Sequence, residues 1–125
     1  MAKKKITLND EVVVYYSADD GCWIAHSLHT DQIGTGDRIV DSMAALVRGI
    51  SAILKLAEAD ETIAFLREAP ARIQKLARSA KALPLEVYEV AHKMATGRWP
   101  KYLTIEVTAD SPETPLKAAM PELTV

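Results

Sequence analysis

Three observations predict an α+β domain. Residues 11–17 and 22–28 are two β-rich runs joined through Asp20-Gly21. Near residue 40 the hydrophobic period switches from two to about 3.6. The strand-like runs precede the helical ones instead of alternating with them, which argues against a parallel α/β sheet. The expected architecture is a three-stranded antiparallel sheet with one long packed helix, followed by a helical C-terminal extension and a late strand. It divides the chain into a β-β-β-α core over 1–59, a helical extension with a final strand over 60–108, and a proline-containing tail over 109–125.

The first strand reads EVVVYYS, rich in β-branched and aromatic residues. It is apolar on both parities, so both of its faces should be covered. Asp20-Gly21 supplies the positive-φ position of a tight hairpin. The second strand, CWIAHSL, follows. A short third strand is expected around 33–38, limited by Gly34 and Gly36. Met43, Leu46, Val47, Ile50, Ile53, Leu54 and Ala57 then recur at helical spacing, predicting a helix over 40–59 capped by Asp37 or Asp41. Gly49 inside it suggests close packing of the helix on the sheet.

Asp60-Glu61 reads as the start of a second helix over 62–68, and Pro70 as its end or as the first turn of the next. Residues 71–82 form that next helix, with Ile73, Leu76, Ala77 and Ala80 on one face. Leu83-Pro84 introduces another over 85–96, stopped by Gly97. Trp99-Pro100 forces an extended link, and YLTIEV at 102–107 alternates as a strand. Residues 109–125 contain Pro112, Pro115 and Pro121 without a period and read as a disordered tail or an extended arm.

The chain has 125 residues, 49% of them hydrophobic, which excludes disorder throughout and suffices for one core. No run approaches the roughly 20 apolar residues of a membrane helix. The basic start, Met1 to Lys5, leads at once into polar residues, so no secretory leader and no membrane association are expected and the location should be cytoplasmic. A single cysteine, Cys22, forms no internal disulfide.

No motif for catalysis, metal binding or a cofactor emerges. Cys22 lacks a recognisable base, and turn aspartates serve backbone N–H groups. His26 and His29 would pair on a metal only if helical; in a strand and loop they point apart, which leaves His26 at the sheet surface or against a partner. Gly34-Thr35-Gly36 matches no phosphate-binding fingerprint. Charge is more informative. Net charge is only −2, yet 70–101 holds Arg72, Lys75, Arg78, Lys81, Lys93, Arg98 and Lys101 against Glu86 and Glu89. Arg72, Lys75, Arg78 and Lys81 are therefore candidate nucleic-acid contacts, DNA included, or else a solvated helix face. Trp99 and Tyr102, set between basic residues, are candidate anchors of an interface continued by Leu103, Ile105 and Val107.

Residues 12–54 carry a further pattern: the tyrosine-containing strand VVVYY, the acidic turn Asp19-Asp20-Gly21, a second strand beginning CWIA, and Gly36-Asp37 directly before an Ala/Leu-rich helix. This stretch resembles the HicB-like antitoxin family. Two positions depart from it: no proline follows the second strand, and Arg38 stands where Thr or Ser is usual. The resemblance implies a partial ribonuclease-H-like fold without catalytic carboxylates, and a partner-binding rather than enzymatic role. It also implies homo-oligomerisation and a small ribonuclease toxin as partner. Independently of the resemblance, the late strand can pair with an edge of its own sheet or of a second copy, and the apolar residues of the tail, Leu116, Met120, Leu123 and Val125, should dock on a partner subunit, giving at least a homodimer. The alternative is a nucleic-acid-binding transcriptional regulator that uses the basic segment 72–81.

Overall fold

The computed structural model describes residues 6–97 and 115–124. β1 (Thr7–Ser17) and β2 (Cys22–Ser27) form the expected hairpin, pairing from Val12 with Ser27 to Ser17 with Cys22. Gly21 turns the chain with φ +65°, and its N–H donates to the Ser17 carbonyl at 2.8 Å. β3 (Ile33–Gly36) pairs antiparallel with β2. α1 (Ile39–Ala59) then crosses the sheet, with Met43, Leu46, Ile50 and Leu54 buried against it. No side chain caps its N-terminus. Asp41 instead pairs with the Arg38 guanidinium at 2.7 and 2.9 Å in the first turn.

The glycines that let α1 approach the sheet are Gly34 and Gly36 on β3, not Gly49. A Cβ at Gly34 would collide with the Leu46 amide nitrogen and the Ser42 carbonyl, whereas one at Gly49 would meet only the end of the Gln32 side chain. At its C-terminal end α1 runs into a turn in which Asp60 accepts from Thr62 N–H and Oγ1, holding its carboxyl below the ordinary range.

The helix expected over 62–68 does not form. Residues 63–70 run extended: Arg67 N–H donates to the His29 carbonyl and Ala69 N–H to that of Leu28. Exposure alternates accordingly, Ile63 and Phe65 being half-buried while Ala64 and Leu66 are exposed. Three apolar residues over so short a stretch satisfy either period, and the two carbonyls beyond β2 decide between them. α2 (Ala71–Ser79) follows, then β4 (Lys81–Ala82) and α3 (Leu85–Ala95), which Gly97 closes with φ +73°.

Among the described residues the sheet has five strands and is mixed, in contrast to the three antiparallel strands expected. The additional strands are β4 and β5 (Leu116–Thr124), and the order is β3-β2-β1-β5-β4. β5 lies antiparallel along β1, placing Leu116 opposite Val14 and Met120 opposite Asp10, while β4 joins β5 in parallel. Residues 116–124 of the segment read as a tail thus lie inside the sheet of their own chain, with Met120 fully buried. Val12, Val13 and Val14 have no exposed surface, which explains the double-sided apolar run: α1 and α3 cover one face and α2 the other. Among the described residues no helix is long and apolar enough to cross a membrane.

Candidate binding surface

Two polar arrangements stand out on the sheet, and they differ in kind. The first is closed. Asp10 on β1 is 4% exposed, and both of its oxygens are occupied. Oδ1 accepts from the backbone N–H of Glu11 at 2.7 Å and of His29 at 3.1 Å, and Oδ2 accepts from Ser27 Oγ. Ser27 Oγ in turn accepts from Thr30 N–H and Oγ1 at 3.0 and 2.6 Å. The cluster ties the β2–β3 turn to β1 and engages both carboxylate oxygens of Asp10.

His26 continues this cluster. It is 2% exposed, so it is not at the sheet surface as its strand position suggests. Its Nε2 lies 2.6 Å from Asp31 Oδ1, and Asp31, at φ +57°, also faces the Arg67 guanidinium at 3.7 Å. The missing signal in the sequence is the segment after α1, which returns to cover the turn. His26 Nδ1 is buried without a hydrogen-bond partner among the described residues. No three His, Cys, Asp or Glu side chains among the described residues converge as metal ligands would.

The second arrangement is open. α2 covers Val13 and Leu28 with Ile73 and Ala77 but stops short of β5. A groove of about 460 Å³ remains between α2, β1, β5 and the link from β4 to α3. Its apolar lining comes from Leu28, Ala77, Ala82, Leu83 and Ala119, and its polar lining from Glu11, Gln74, Arg78 and Lys117. Arg78 and Lys117 are exposed and form no ion pair among the described residues. Lys117 arrives on β5, so no reading of the helical segment alone could have paired it with Arg78.

Of the candidate nucleic-acid contacts, Arg72, Lys75 and Arg78 stand exposed along α2, and only Arg78 reaches the groove. Lys81 is not on that helix: it is exposed on β4, at the edge of the sheet. The candidate interface residues Trp99, Tyr102, Leu103, Ile105 and Val107 lie outside the described residues. Compared with protein-family models, curated proteins and solved structures, the chain has no match.

Proposed function

We propose that the chain is a non-enzymatic HicB-like binding protein of the antitoxin type, which associates with itself and takes a small ribonuclease toxin as its partner. The observation that carries this reading is the β-β-β-α unit from Thr7 to Ala59, whose one buried carboxylate among the described residues, Asp10, is fully engaged by its own turn. A buried carboxylate that accepts from Ser27 and two backbone amides is accounted for by a structural role, holding the strands together. The open groove and the basic side of α2 then provide surface for a partner. The test is co-expression with the product of a neighbouring reading frame for a small ribonuclease. Growth restored by this chain, together with co-purification, is the expected outcome. A toxin that still kills, with no complex recovered, would overturn the reading. Sedimentation of the full chain should give a dimer or larger species at micromolar concentration, and a monomer would remove self-association.

One observation favours a second reading, a transcriptional regulator: Arg72, Lys75 and Arg78 are exposed along one helix with no ion pair among the described residues. A stripe of this kind meets phosphates. DNA retention at low salt that falls steeply with added salt, and disappears on reversal of the three residues to Glu, would support it. No retention by the unaltered chain would remove it.

A further inference from the structure

β5 is nine residues long, yet β4 covers only its beginning, pairing Lys81 with Leu116 and Ala82 with Lys117. The flanking hydrogen bonds establish which way β5 presents its backbone. Lys81 N–H donates to the Pro115 carbonyl at 3.0 Å and Leu83 N–H to the Lys117 carbonyl at 2.8 Å. Backbone polar groups alternate sides along a strand, so Pro115 and Lys117 face away from β1, and so does Ala119. On the side away from β1, no strand among the described residues pairs with β5 beyond Lys117. Ala119 therefore presents one donor and one acceptor at an edge that no described strand covers. Beyond Met120 the β1–β5 register shifts, so this regular edge ends before Pro121.

This edge borders the groove, and Ala119 belongs to both. The groove adds what an edge alone lacks, namely an apolar recess and two exposed cations, Arg78 and Lys117, from opposite sides. We infer that the β5 edge and its groove take an extended acidic peptide segment of a partner protein. The segment adds as a strand beside Ala119, sets an apolar side chain in the groove and brings a carboxylate to Arg78 and Lys117. Nucleic acid fits less well: among the described residues the lining offers no aromatic ring for a base to stack on. The site goes beyond the antitoxin reading and stands whether or not a toxin is bound.

The test is selection of a random linear dodecapeptide library on the immobilised full chain, followed by anisotropy titration of the enriched peptides. Enriched sequences should alternate apolar residues with Asp or Glu. Reversal of both cations, Arg78→Glu with Lys117→Glu, should weaken them about tenfold or more. Ala119→Pro removes an N–H that points away from β1, so it should abolish binding with the melting temperature nearly kept. If that variant fails to fold, the charge reversal, at two exposed positions, still decides. No enrichment, enrichment without acidic residues, or affinity unchanged by the charge reversal would overturn the inference. Undiminished binding by a folded Ala119→Pro variant would overturn strand addition. Binding of a labelled oligo(dT) in place of peptides would assign the two cations to nucleic acid.

Discussion

Gly34 and Gly49 stand on facing elements, and they predict opposite responses to the same substitution. Gly34→Ala pushes a methyl group into the backbone of α1 at Ser42 and Leu46, where nothing can yield, and should cost about 1–3 kcal/mol. Gly49→Ala meets only a movable Gln32 amide and relieves a helix-interior glycine, so it should gain up to about 1 kcal/mol. Urea denaturation of the two variants checks both signs. Asp10→Ala strands the hydroxyl of Ser27 and the amide of His29, and should cost about 1–3 kcal/mol by the same assay. Tyr88 bears on pH. Burial holds its hydroxyl above the ordinary 10.0, because the anion is poorly solvated beside the core. The folded chain therefore keeps the proton longer than the unfolded one. Stability from this group is complete below the unfolded value and is lost as pH rises through the folded one. Melting curves above pH ~10 should show Tyr88→Phe losing less stability than the unaltered chain.

At the scale of elements, the extended course of residues 63–69 is the sharpest departure from a local reading. Hydrogen exchange should protect the amides of Arg67 and Ala69, which donate to His29 and Leu28, and leave those of Leu66 and Glu68 fast. Uniform protection across the four would restore the helix. α1 agrees with its period throughout. Leu46 is completely buried between the sheet and the helix, and Leu46→Ala should cost roughly 2–5 kcal/mol in equilibrium unfolding.

For the whole molecule the decisive element is β5. It is the neighbour of β1 on the side away from β2, and it buries Leu116 and Met120 in the same cluster as α1 and α3. A chain ending at Gly97 loses those side chains, uncovers an edge of β1 and detaches β4 from the sheet. Such a chain should show no cooperative thermal transition by circular dichroism, whereas a melting transition like that of the full chain would mean that β5 is dispensable.

What the sequence determined by itself is what neighbours along the chain decide. The hairpin follows from two β-branched runs and the positive φ of Gly21, α1 from its repeating apolar positions, and the end of α3 from Gly97. The double-sided burial of β1 was legible as valines on both parities. The tertiary structure alone decided the rest, because those contacts join residues far apart in the chain. Residues 116–124 lack a convincing strand signal, since Pro121 interrupts it; they become a strand because β1 offers a ladder, whose register shifts where the proline falls. His26 sits on a strand position that could face water, and it is buried because the chain beyond α1 returns over its turn. Arg78 was visible as a cation on a helix, but its place at a groove depends on Lys117 and Ala119 arriving on β5, and only the closed sheet brings them there.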